Sequence, residues 1–319
     1  MESYINKGNK STKVGFGEGV FLAATHLDEV VVLGADITAS VGLDVFAKNF
    51  PERFFSLGIA EQNCVGVAAG LALSGKIPVF STYGVFAALR TADHIRISVC
   101  YNNLHVIIGG AHAGISVGPD GATHQALEDI AVMRVMPNMT VISPCDATQT
   151  VLLTKRAIEN LKGPVYIRFG REPVPDFTSE DQEIEIGKGQ ELCPGNDITL
   201  IATGHLVWEA IQAATQLREQ GIHARVINLH TIKPIDAEII IKAARETRRI
   251  VTLEEHQIHA GFGSAVAEIV VQNHPVKMKM IGINDRFGES GKPEELMHKF
   301  KLTADEIFYT VSRFLHDNL

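Results

Sequence analysis

Short apolar runs ended by small or polar residues alternate, along most of this chain, with longer stretches whose apolar positions recur every three or four residues. The short runs predict strands at 30–34, 54–57, 78–81, 104–109, 140–142 and 165–169, then at 198–202, 224–228, 250–253 and 278–281. The longer ones predict helices at 17–27, 61–74, 84–99, 146–161, 205–219, 236–246, 263–272 and from Ala304 onward, with Asp146 as an N-cap. The 61–74 stretch is apolar nearly all round, which predicts a buried helix, and the aromatic run before it predicts a short buried strand. Strands alternating with helices imply a mainly parallel sheet covered on both faces.

The rhythm breaks once. Residues 171–196 carry Pro173, Pro175 and Pro194 among many acidic side chains, after which the alternation resumes. The expectation is an α/β protein of two doubly wound domains, 1–175 and 197–319, the second smaller, joined by a linker over 176–196.

Composition adds exclusions. At 319 residues the chain is long enough for two cores, and its formal net charge of −8 gives no footprint for nucleic acid or an anionic membrane. No run approaches the ~18 apolar residues of a membrane span, and residues 1–13 are polar. Cys64, Cys100, Cys145 and Cys193 are scattered without a CxxC pair, as expected for reduced thiols in a cytoplasmic protein.

Candidate chemistry gathers where predicted strands end. Glu61 opens a predicted helix just past strand 54–57. An acidic residue there offsets the helix dipole, but burial also demands a partner for its charge. Tyr83 and Phe86 follow strand 78–81, and Arg168 and Arg171 close the last strand of the first domain. After strand 104–109 comes a loop, Gly109 to Gln125, with five glycines, His112, Asp120 and His124. Glycines let backbone approach a ligand closely, and the polar side chains converge on it. The twelve-residue histidine spacing does not suit a metal. Open α/β sheets bind ligands at strand C-terminal ends, so these groups mark an active-site face.

Gly58-Ile59-Ala60-Glu61-Gln62-Asn63, Ser81-Thr82-Tyr83-Gly84-Val85-Phe86 and Gly118-Pro119-Asp120-Gly121-Ala122-Thr123-His124-Gln125 together resemble transketolases, specifically the C-terminal subunit of the split, two-gene form. The resemblance covers nearly the whole chain and implies a thiamine diphosphate enzyme. It implies that Glu61 hydrogen-bonds N1′ of the aminopyrimidine, favouring the imino form whose 4′ nitrogen removes the thiazolium C2 proton. Glu61 and His124 would be catalytic; Tyr83 and Phe86 would pack on the aminopyrimidine, and Asp36 would lie near the cofactor. His124 and Asp120 would bind sugar hydroxyls. His112, Ser40, Arg171 and Lys13 would take the substrate phosphate.

Lys13 stands where the family usually has arginine, which keeps the charge and loses the bidentate fork. Asn63, Pro119 and Ala122 also depart from single-chain transketolases, leaving the sugar open. The family's GDG…Asn motif for Mg²⁺ and diphosphate is absent. The resemblance therefore implies a partner N-terminal subunit holding both, a shared interfacial cofactor, a dimer of heterodimers, and no activity from this chain alone. Three alternatives stay open: a transketolase for an unusual pentose phosphate, the β subunit of a 2-oxo acid dehydrogenase, and a non-catalytic scaffold.

Overall fold

The computed structural model describes residues 4–316. The first domain contains β1 (Asn9–Ser11), β2 (Val30–Gly34), β3 (Phe54–Ser56), β4 (Ile77–Tyr83), β5 (Ile107–Ala111), β6 (Thr140–Ile142), β7 (Val165–Arg168) and β8 (Pro173–Pro175). Beyond it lie β9 (Gln190–Cys193), β10 (Ile198–Ala202), β11 (Ala224–Asn228), β12 (Thr231–Lys233), β13 (Arg249–Gln257) and β14 (Lys277–Ile283). Six strands run parallel in the order β3-β2-β4-β5-β7-β6, and β12 adds an antiparallel edge. The second sheet has the order β14-β13-β10-β11-β9, with only β9 antiparallel. Central strands such as β2 and β10 are buried along their whole length, which is why they read as unbroken apolar runs.

Helix Thr12–Ala24 starts earlier than predicted, because Ser11 caps it by accepting from the Lys13 amide. It packs against helix Ala147–Asn160, which Asp146 caps from the predicted position, accepting from the Gln149 amide. Helix Glu61–Leu73 lies on the opposite face, packing Cys64, Val65 and Ala68 with Leu33, Phe80 and Ile108.

Some expectations need correction. Strand β3 is an edge strand with Phe55 exposed, not a buried one. The helix after it buries only Glu61, Cys64, Val65, Ala68 and Ala69, and Leu73 is 73% exposed. Both sit at the margin of the sheet, so one face of each lacks a covering layer within the chain. In the stretch read as a linker, Gln190–Cys193 forms a strand of the second sheet, while β12 returns from beyond residue 230 to the first.

Arg168 is another. Rather than facing a ligand, it is buried between the two sheets. Its Nε donates to Asp129 at 2.9 Å, and its Nη2 donates to the carbonyls of Glu255 and Ala126 at 2.8 and 3.1 Å. Tyr166 Oη donates to the same Asp129 at 2.8 Å, so the charge is paired and satisfied.

Burial also sets a pH dependence. His230 and His256 are each pushed down to about 4, chiefly by loss of hydration. An unfolded histidine titrates near ~6.5, so between about pH 6.5 and 4 the unfolded chain binds protons that the folded one refuses. Stability therefore falls as pH falls through that window, by up to ~1.4 kcal/mol per pH unit per histidine. Glu254 acts oppositely: burial raises it to about 8, so it favours the folded state as pH drops from there. Thermal midpoints measured from pH 7 to 5 should drop, and His230→Gln should flatten the slope. An unchanged slope in the variant would remove His230 from the account.

Candidate active site

The strand order reverses between β2 and β4, which opens a crevice at their C-terminal ends. Three connections empty into it. After β2 come Asp36, held at φ 65°, and Ser40. After β4, Tyr83 leads into Phe86–Arg90, a π-helical turn of the kind that recurs at functional sites. After β5 comes the glycine-rich loop. There Gly114, at φ 85°, passes so close to Glu255 that a Cβ would lie 2.1 Å from the carboxyl carbon.

Five predicted residues form one wall. Tyr83 Oη and Ser40 Oγ are 3.0 Å apart, and the Tyr83 ring stacks on His112 at 4.5 Å and 19°. His124 meets Tyr83 and Phe86 edge-on at 5.6 and 5.5 Å. Thr123 Oγ1 lies 2.9 Å from His124 Nδ1 and so steadies that ring.

His112 is buried with φ 53°. Burial, then the Arg171 guanidinium and Lys13, push its pKa down to about 4, against the hydrogen bond to Ser40 and the charge of Asp120. The ring is therefore neutral near pH 7. Its Nε2 lies 3.0 Å from the Ser40 carbonyl, which can only accept, so the proton sits on Nε2. Nδ1 is then a bare acceptor, buried and without a partner among the described residues. Such an atom welcomes a hydroxyl or N–H and repels an oxyanion, so this ring orientation suits a sugar hydroxyl better than a phosphate.

Glu61 is buried at the first turn of its helix, where Ala60 as N-cap supplies no side-chain hydrogen bond. Its charge is met by Arg90, whose Nη1 lies 3.2 and 3.3 Å from the two carboxylate oxygens. The same guanidinium lies 4.4 Å over the Phe86 ring. Sequence reasoning misses Arg90, whose carboxylate partner is 29 residues away; the available signal is the i+4 spacing from Phe86. Arg171 Nη1 donates to Asp120 at 3.0 Å, so two groups read as separate substrate contacts pair with each other. Lys13 is near enough to act on His112. Asp36 is exposed at the crevice mouth and joins none of these contacts. Among the described residues, no group of three or more His, Cys, Asp or Glu converges as a metal site.

A buried carboxylate, two half-buried aromatic rings, an unpartnered acceptor and two cationic side chains suit a flat, nitrogen-bearing ligand beside an anionic, hydroxylated one. Residues 9–176 match the transketolase pyrimidine-binding domain, and residues 187–307 match the transketolase C-terminal domain. The chain belongs to the transketolase family. This is a family of thiamine diphosphate enzymes, as the resemblance implied. A Methanocaldococcus jannaschii protein, named provisionally as a transketolase C-terminal section, is 46% identical over 301 residues, 93% of this chain and 94% of that one. A 6-deoxy-6-sulfo-D-fructose transketolase subunit from Clostridium sp. strain MSTE9 is 41% identical over 280 residues, 88% of this chain and 87% of that one. A solved structure described as a split gene transketolase, inactive beta4 tetramer, superposes with a TM-score of 0.89 at 46% identity, covering 96% of this chain and 98% of that one. The two-domain α/β architecture is thus that of split transketolases.

Proposed function

We propose that this chain is the C-terminal subunit of a two-subunit transketolase, moving a two-carbon ketol unit reversibly from a ketose phosphate to an aldose phosphate. The observation that carries this is the wall of Tyr83, Phe86, His112 and His124 beside the buried Glu61 carboxylate. These residues fit the aminopyrimidine half of thiamine diphosphate: a carboxylate for a ring nitrogen and rings for its faces. When bound, that cofactor supplies the electron sink for carbon–carbon cleavage. Glu61 holds the proton shared with N1′, and Tyr83 and Phe86 exclude water from the ring. Arg90 must leave the Phe86 face for this, giving up its hold on Glu61. His124, Asp120 and His112 take sugar hydroxyls, His124 also orienting the reacting centre. Arg171, Lys13 and the Ser40 hydroxyl hold the terminal anion, and Asp36 closes the site at the subunit interface.

The diphosphate end needs other hands. The chain lacks the GDG…Asn motif, so Mg²⁺ and diphosphate fall to an N-terminal partner subunit, in a dimer of heterodimers. Exposed Phe55, Ile59, Leu73, Leu89 and Ile97 in the first domain support such an interface. The solved beta4 tetramer, described as inactive, is in keeping with it. We take 1–175 and 197–319 as the bodies of the two domains, joined through 176–196, whose last part lends β9 to the second sheet. Four free, buried thiols suit the reducing cytoplasm. The Clostridium relative is named for a sulfonated ketose, so the terminal anion here is a phosphate or a sulfonate.

Assayed with thiamine diphosphate and Mg²⁺ across ketose phosphates and a ketose sulfonate, this chain should be inactive alone and active with its partner subunit. Decarboxylation of a 2-oxo acid without any ketol transfer would overturn the reading in favour of a dehydrogenase subunit.

A further inference from the structure

We propose that the C-terminal domain carries a second site, at the open edge of its sheet, for a small molecule bearing two or more phosphate groups. The site is a cavity of about 670 Å³, within the range of small-molecule pockets. Lys277, Lys279, Arg286, Lys299, Lys301 and Arg313 all line it, and among the described residues no Asp or Glu does. That is a concentration of positive charge in a chain with 29 basic against 37 acidic side chains.

Lysines on an edge strand have a simpler use, which is to block edge-to-edge pairing. This accounts for Lys277 and Lys279 on β14 and for nothing else. Arg286 comes from the loop after β14, Lys299 from the end of helix Pro293–Lys299, Lys301 from the following turn at φ 61°, and Arg313 from helix Ala304–His316. Chain segments with no shared edge to protect therefore turn their cations into one concavity. Two of them are held in place by rings: Arg286 lies 4.0 Å over Phe300, and Lys277 lies 5.2 Å over Phe314. Lys279, Lys301 and Arg313 have no carboxylate partner among the described residues. Like charges gathered this way repel until an anion joins them, and one phosphate is too few to meet Lys279, Arg286, Lys301 and Arg313 together. Met280 and Ile281 give the pocket an apolar floor for the rest of such a molecule.

The pocket is wired to the substrate loop. Lys299 pairs with Glu289, and the Glu289 carbonyl accepts from Gln125 Nε2 at 2.9 Å, one residue after His124. Ser290 crowds Gly121 so closely that a Cβ there would lie 2.5 Å from its hydroxyl, and Pro293 packs on Gly118. Segment 288–293 is thus the bed of the loop that carries Asp120 and His124. A polyphosphate drawing Lys299 to itself loosens Glu289 and, through it, that loop. This coupling rests on the transketolase reading for its meaning; the binding does not.

The test is calorimetric titration of the full chain with pyrophosphate and with ATP, using wild type, Lys279→Ala/Arg313→Ala and Arg171→Ala. Both altered cations in the double variant are exposed, and a matching thermal midpoint confirms that it folds; Lys301→Ala serves as a second variant. The expected result is binding by wild type and Arg171→Ala, and affinity at least ~10-fold weaker in the double variant, as for lost charge-assisted phosphate contacts. Amide exchange in 115–125 should rise on adding pyrophosphate to wild type. Equal binding by the double variant, loss of binding only in Arg171→Ala, or binding of RNA with none of pyrophosphate or ATP would each overturn the proposal.

Discussion

Glu61→Ala should lower turnover of the assembled enzyme by ~10³-fold while leaving subunit assembly intact, the scale on which positioned proton-transfer groups act. That corresponds to about 4 kcal/mol of barrier. Glu61 is buried and its ion-pair partner, Arg90, is a half-exposed side chain that leans on Phe86. Removing the carboxylate therefore takes away the acid beside the rings and leaves Arg90 free to return to water, so the fold loses little. Glu61→Gln sharpens the experiment: it keeps the shape and a hydrogen bond but cannot carry the shared proton, and it should be nearly as inactive as alanine. Arg90→Ala should cost far less than ~10²-fold, because in the working site its place over Phe86 is given up. Steady-state kinetics with the partner subunit, and sedimentation to check assembly, decide the matter. Near-normal turnover in Glu61→Ala would sink the assignment.

The reason so much of this site is legible in the sequence lies in the strands. A parallel strand buried on both faces has to be an apolar run, so 30–34 and 198–202 can be read to the residue. Parallel strands also bring all their C-terminal ends to one edge, so Ser40, Tyr83 and His112, from three separate connections, have to meet there. What depends on the partner of a residue is not legible. Arg168 and Arg171 look alike at the end of β7, yet one is buried against Asp129 and the other reaches Asp120 in the crevice. Periodicity assigns side chains to faces, and nothing in it says that the face of helix Glu61–Leu73 away from the sheet finds no cover in its own chain. Strand β9 hides in an acidic, proline-bearing stretch because an antiparallel edge strand needs only one apolar face. Arg90 hides because its partner Glu61 lies 29 residues away on another helix, which periodicity does not reveal.

Arg171→Ala should raise KM for phosphorylated sugars by ~100-fold and hardly change it for the same sugars without the phosphate, given that charge-assisted, bidentate contacts are the strong ones. In the free chain Arg171 is not waiting empty: its guanidinium is bound to Asp120 at 3.0 Å. An incoming anion has to share or break that pair, so Asp120 competes with the substrate for Arg171 as well as holding a sugar hydroxyl. The two roles pull a variant in opposite directions. Asp120→Ala should bind inorganic phosphate more tightly than wild type, because the competitor is gone, and should still turn over poorly, because the hydroxyl contact is gone too. Lys13 refines the same argument. It offers one point charge where a guanidinium would offer two parallel donors, so Lys13→Arg should tighten phosphorylated substrates. Phosphate carries roughly −1.5 to −2 at neutral pH against about −1 for a sulfonate, so Arg171→Ala should penalise a ketose phosphate more than a ketose sulfonate. A variant that raises KM equally for charged and uncharged sugars would show that Arg171 shapes the loop through Asp120 and does not hold the substrate's anion.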